Sequence, residues 1–146
     1  QVIDDDPRYY AFSNVFEVAS RAAPYEKIAV GKNMEYVLET IRAEGTSEWR
    51  ATPHDEFPLV MDGEVTVELR DPAGELVDPE ASGSIGLPGE PEGTPMGTLV
   101  LRRGHMGLLP AGTAYRFVAA SPSVILLQTI AGPDTVFKWS EICQTV

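Results

Sequence analysis

Cysteine is nearly absent: Cys143 stands alone among 146 residues, so no internal disulfide can form, and a lone thiol near a chain end suits a reducing cytoplasm. Basic residues are scarce as well. Lys and Arg total 11 against 22 Asp and Glu, for a net charge of -11. A phosphate backbone or an anionic membrane surface is therefore repelled rather than steered in, which argues against a nucleic-acid or membrane partner. No apolar run approaches the roughly 18 residues that cross a bilayer. The chain begins at Gln1 and not at Met, which leaves a removed leader open. Apolar residues are not lacking: at 43% of a one-domain length they can bury a core without disulfides or metal, so stability alone demands no cofactor.

The most legible stretch is 54–69, HDEFPLVMDGEVTVEL. Phe57, Leu59 and Met61 alternate with Pro58, Val60 and Asp62. Beyond Gly63, Val65, Val67 and Leu69 alternate with Glu64, Thr66, Glu68 and Arg70. A period of two marks two strands, the second with one buried and one charged face. Asp62-Gly63 between them predicts a two-residue hairpin turn. The remainder of the chain reads as packing around that hairpin.

Residues 1–33 open on Asp4, Asp5 and Asp6, then bring Tyr9, Tyr10, Phe12 and Phe16. The segment reads as an N-terminal arm and first strands, laid over the domain's own sheet or docked on a partner chain, where aromatics are enriched. Residues 34–45, MEYVLETIRAEG, fit either period; a strand is expected, because a Gly-Thr-Ser turn leads directly into the hairpin. Residues 71–97 hold six Gly, five Pro and six carboxylates with no basic residue, the composition of an irregular acidic insertion on the surface. The near-continuous apolar run at 124–130, after a Ser-Pro-Ser turn, predicts a strand buried on both faces. Val136, Trp139, Ile142 and Cys143 recur at helical spacing, with Asp134 and Thr135 as cap residues, and predict a short C-terminal helix. Many short strands with Gly and Pro turns give a single all-β domain over 1–146, a barrel or two-sheet jelly roll.

Two segments resemble the paired motifs of the cupin superfamily. Glu56 followed after six residues by Gly63 matches the second half of the first motif, and Gly104, Pro110 and Gly112 fall at the intervals of the second. The resemblance implies a jelly-roll barrel. It also shows what is missing: the His-x-His slots fall on Arg50 and Thr52, or on Trp49 and Ala51, the third His slot is Tyr115, and the Asn slot is Ala119. Of the implied ligands only Glu56 remains. A guanidinium cannot coordinate, and neutral hydroxyls replace imidazole poorly. His54, Glu56 and Tyr115 are the barrel-centre candidates, expected to be hydrogen-bonded to one another in a structural role; His105, the other histidine, sits beside the Gly104 turn. No nucleophile elbow or phosphate loop is present, and Asp55-Glu56 as a general acid pair is generic.

Further segments, RYYAFSNVFEV, APYEK, HDEF, MDGEV, RRGHMGLLPAGTAYRF and KWSEIC, resemble the small subunit of the two-component hydroquinone ring-cleaving dioxygenases. That resemblance covers most of the chain. It implies a heteromer in which a larger cupin-like subunit holds non-haem Fe(II) and the aromatic diol, while this subunit binds no metal and supports the partner's site. Two rivals stand beside it: a stand-alone cupin binding a small molecule in its barrel without catalysis, and a self-sufficient metal enzyme using His54 and Glu56.

Overall fold

The computed structural model describes residues 14–138 in full, and Val2–Asp5 and Arg8–Ala11 as backbone strands. In chain order the elements are β1 (Val2–Asp5), β2 (Arg8–Ala11), α1 (Val15–Arg21), β3 (Lys27–Asn33), β4 (Tyr36–Thr46), β5 (Arg50–Ala51), β6 (Phe57–Asp62), β7 (Glu64–Pro72), β8 (Ile85–Gly86), β9 (Gly93–Arg102), β10 (Ala114–Ile130) and β11 (Thr135–Val136). They form an all-β jelly roll, a sheet curled around one apolar core.

The strand around which the sheet is built is β10. Along one side it pairs antiparallel with β4 from Val118↔Thr46 to Ile130↔Tyr36, and with β5 beyond. Along the other it pairs with β7 (Phe117↔Val67) and then β6 (Ile125↔Val60). The expected hairpin at Asp62-Gly63 is therefore absent. β6 and β7 run on in the same direction beside β10, and β7 finds its other neighbour in β9.

What the two predicted turns do instead is face one another. Gly63 adopts φ +84, and a Cβ there would lie 2.2 Å from Ser123 Oγ. Ser123 in turn takes a hydrogen bond from the Glu64 N–H at 3.2 Å and gives one to the Ser121 carbonyl at 3.1 Å. The Ser-Pro-Ser sequence is thus a bulge inside β10, where the register against β4 shifts between Ala119 and Ser123. Both long strands kink together there and wrap the core. The single residue Gly63 also flips the inward parity: Val60 is buried before it, Val65 and Val67 after it, all at 0% exposure. Phe57, Leu59 and Met61 consequently face outward or lie half-buried.

The core gathers Ile41, Ala43, Val60, Val65, Val67, Leu101, Leu109, Tyr115, Phe117, Ala119, Ile125 and Leu127. The predicted strand at 34–45 is β4. Residues 73–92 carry only the two-residue β8 and link β7 to β9, whereas 93–97, expected to be irregular, already belong to β9.

Two expectations at the chain ends are corrected. Residues 15–21 form a helix and not part of an extended arm: Asn14 caps it, its Oδ1 accepting from the Phe16 N–H at 2.9 Å, and Val18 packs on Ile28. Residues 134–136 do not start a helix, because Thr135 and Val136 pair in parallel with Lys27 and Ile28 at the free edge of β3. Trp139, Ile142 and Cys143, and the side chains of Tyr9, Tyr10 and Phe12, lie outside the described residues.

Candidate functional site at the barrel centre

Glu56 enters the core because its backbone is clamped to the returning loop, its N–H donating to the Leu109 carbonyl at 3.0 Å and its carbonyl accepting from the Leu109 N–H at 2.9 Å. The side chain is wholly buried. Both carboxylate oxygens have hydroxyl donors: Tyr115 Oη donates to Oε1 at 2.5 Å and Thr129 Oγ1 to Oε2 at 2.6 Å. A buried carboxylate is tolerable only when its oxygens are so satisfied. Tyr115 packs its ring 5.4 Å from that of Phe117. Burial, then the Glu56 charge and hydrogen bond, hold the Tyr115 phenol well above its usual range, so it stays a neutral donor at physiological pH.

Tyr115 and Glu56 therefore meet as expected, but His54 does not join them. Its Nε2 accepts from the Gly83 N–H at 3.2 Å and its Nδ1 lies 3.1 Å from the Asp55 carbonyl, an arrangement that places the Nδ1–H as the donor, on the loop before β6. It ties residues 73–92 to the barrel rim. His105 sits in the turn after β9, its Nδ1 accepting from the Arg102 N–H. Thr129 was not foreseen. The alternation along β10 would have found it, since Tyr115, Phe117, Ile125 and Leu127 share its inward parity and a polar residue in that series needs a buried partner.

The slots that a cupin fills with His-x-His hold other chemistry. Thr52 is fully buried, and its Oγ1 accepts from the His54 N–H at 3.3 Å. Arg50, 7% exposed, turns its guanidinium to Ser84 Oγ at 2.8 and 3.0 Å, to Glu48 at 2.7 Å and to Asp134 at 2.8 Å. It thereby binds β5, the segment before β8 and the segment before β11 to one another. A fork of planar donors suits that task as a lysine would not. Among the described residues no three His, Cys, Asp or Glu side chains converge on one point. One carboxylate that already accepts from a hydroxyl on each oxygen, with an arginine and a threonine in the histidine slots, is not a donor set that fits an iron ion.

A solved structure of hydroquinone 1,2-dioxygenase from Sphingomonas sp. TTNP3 with 4-hydroxybenzoate bound is 53% identical to this chain, over 99% of it and 89% of that chain, with a TM-score of 0.89. The chain belongs to the hydroquinone 1,2-dioxygenase family. The dioxygenase PnpCD in complex with Cd2+ and 4-hydroxybenzonitrile is likewise 53% identical, over 92% of this chain and 81% of that one, with a TM-score of 0.88. A longer chain of PnpCD in complex with Fe3+ shares the fold: the match takes in 83% of this chain but 32% of that one, at 14% identity and a TM-score of 0.64. A cupin-2 domain protein from Shewanella frigidimarina has the same fold at 16% identity, over 77% of this chain and 87% of that one, with a TM-score of 0.56. No family model and no curated protein sequence matches this chain.

One outer face of the sheet is apolar. On the outer side of β4, β10 and β6, Leu38, Gln128 and Phe57 stand in one row and Leu59 pairs with Leu126 in the next. Tyr36 and Met106, each 59% exposed, flank them. Solvent-facing strand positions are usually polar, and this face is not. No helix among the described residues is long and apolar enough to cross a membrane.

Proposed function

We propose that this chain is the small, non-metal-binding cupin subunit of an Fe(II)-dependent dioxygenase that opens hydroquinone-like rings. In this reading a larger cupin-like subunit holds the iron and the aromatic diol, and this chain supports that site. The observation that carries the reading is the barrel centre, where Glu56 is closed off by Tyr115 and Thr129 while Arg50 and Thr52 stand in the ligand slots. The apolar face of Tyr36, Leu38 and Phe57 supports docking on a partner, and the longer chain of PnpCD, which contains a domain of the same fold, is the model for it. The lone Cys143 supports a cytoplasmic location. The rival of a small-molecule barrel gains no support, since the interior is occupied by Tyr115, Leu109, Ile125 and Leu127.

The test is to purify the chain alone and together with the larger subunit, then assay hydroquinone ring cleavage and iron content. Activity and iron are expected only with the larger subunit. Stoichiometric tight iron in this chain alone, lost on Glu56→Gln, sinks the proposal.

A further inference from the structure

At one end of the sheet lies β9, which among the described residues pairs with β7 and with no other strand. The direction of its backbone groups follows from Arg102. The Arg102 N–H donates to His105 Nδ1 at 2.9 Å and its carbonyl accepts from the His105 N–H at 2.8 Å, so neither group points to β7. Along an antiparallel strand these directions alternate from residue to residue. The register against β7 runs without a shift from Gly97 to Arg102, and Thr98 and Val100 therefore also turn their N–H and carbonyl groups away from β7. Both residues are exposed.

Proline, bulges and charges are the usual guards of such an edge. The first half of β9 has two of them: Pro95 lacks an N–H, and the ladder slips its register where Gly97 and Pro95 face Leu69 and Arg70. The second half has none, for no charged residue occurs from Gly93 to Leu101 and the Val100 side chain is 47% exposed. A row of open backbone donors and acceptors is matched by another extended strand. The charges say which strand. Copies of a chain with net charge -11 repel one another unless the seam is complementary, and β9 is uncharged between Glu90 and Glu92 before it and Arg102 and Arg103 after it. Antiparallel pairing of two β9 strands sets the acidic end of each towards the basic end of the other. The same two residues are open on both copies, so a two-fold axis at Leu99 closes the pair and leaves no edge to propagate.

We propose that the second half of β9 is a self-association edge, on which a second copy of this chain pairs antiparallel with Thr98 of each copy opposite Val100 of the other. The seam uses none of Tyr36, Leu38 and Phe57, and the inference does not rest on the dioxygenase reading. So short a seam buries less than the roughly 1,000 Å² of a stable interface, so the dimer forms with rising concentration. Sedimentation velocity of the full chain from about 10 µM to about 1 mM is expected to pass from monomer to dimer mass. Over the same range the Thr98 and Val100 amides should exchange their hydrogens about tenfold more slowly. Val100→Pro removes an N–H that β7 does not use, and Val100→Lys sets a charge on the edge; each is expected to hold the chain monomeric with an unchanged circular dichroism spectrum. Leu38→Glu, on the outer sheet face, should dimerise as the parent does. The inference is overturned if the parent stays monomeric throughout, if Val100→Lys dimerises like the parent, or if Leu38→Glu abolishes the dimer. It is equally overturned if the Thr98 and Val100 amides gain protection only when a larger cupin-like subunit is added, since the edge then belongs to that subunit.

Discussion

Replacing Tyr115 by Phe removes one oxygen from the middle of the barrel and little else. The ring stays, with its packing on Phe117, so no cavity term enters. What is lost is a 2.5 Å hydrogen bond to a carboxylate with no exposure, leaving Glu56 with Thr129 as its one hydroxyl donor. Hydrogen bonds to charged groups contribute about 1.5–3 kcal/mol, and an acceptor left buried without a donor makes the upper part of that range apply, so a loss of about 2–3 kcal/mol is expected. For a chain of this size that lowers the melting temperature by about 5–10 °C.

The same substitution has a pH signature. The Tyr115 pKa is raised in the folded protein by burial and by Glu56, so its contribution is fully present below the unfolded value near 10. Above that pH the unfolded chain loses the proton that the folded chain keeps, and stability falls by about 1.4 kcal/mol per pH unit until the folded phenol ionises. Tyr115→Phe should remove this alkaline slope while Tyr25, whose own pKa burial raises to about 12, keeps its part. Urea unfolding of both proteins from pH 8 to 11.5 measures depth and slope together. A variant within about 0.5 kcal/mol of the parent at pH 8, with an unchanged alkaline slope, refutes the account of the barrel centre.

Three other substitutions probe separate parts of the fold. Lys27→Met takes the cation from the Glu39 carboxylate, which has no exposure and pairs with Lys27 at 2.8 Å, leaving it the Thr135 hydroxyl at 2.8 Å, and should cost about 3–5 kcal/mol in urea unfolding; adding Glu39→Leu should recover much of it, and a single variant costing under 1 kcal/mol contradicts the pairing. Gly63→Ala meets both a positive φ and the Ser123 hydroxyl, so about 2 kcal/mol or more should be lost; Ser123→Gly in the same chain relieves the clash but not the backbone strain. Arg50→Lys cannot span Ser84, Glu48 and Asp134 at once and should cost about 1–2 kcal/mol, with earlier proteolysis in residues 73–92; an unchanged digestion pattern counts against its cross-linking role.

Much of this architecture is legible in the alternation of side chains, and the errors share a cause. The pattern at 64–70 gives the inward Val65 and Val67 directly. Alternation is local, however, and says nothing of which strand lies next door. Asp62-Gly63 and Ser121-Pro122-Ser123 each have turn chemistry, yet opposite one another in a ladder they are cheaper as a matched pair of kinks than as two reversals that would unpair β10 from β6. At the amino end the helix signal was present in Asn14 and in Glu17 three residues on, but the neighbouring aromatics suggested an extended arm. At the other end, the three-to-four spacing from Val136 onward lost, over 135–136, to the unpaired edge of β3, which no single-segment pattern reveals. For the site, Glu56 and Tyr115 were placed by motif spacing. His54 was not, because sequence proximity to Glu56 cannot show that the loop at Gly83 takes its ring.

The barrel centre and the outer sheet face bear on one another through burial. Glu56, Thr52, Thr129 and Arg50 are polar groups inside a small domain, and each is costly unless matched. A cupin with a metal matches its inward polar groups by coordination. Here hydroxyls on Glu56 and the spread fork of Arg50 do so, with partners drawn from this chain alone. The contrast with the face of Tyr36, Leu38 and Phe57 is then informative: a chain that satisfies the buried Glu56 internally leaves these three large apolar strand residues uncovered. Burying such side chains contributes about 1.5–3 kcal/mol each. The uncovered apolar positions lie outside the barrel, on the face that the proposed function assigns to docking.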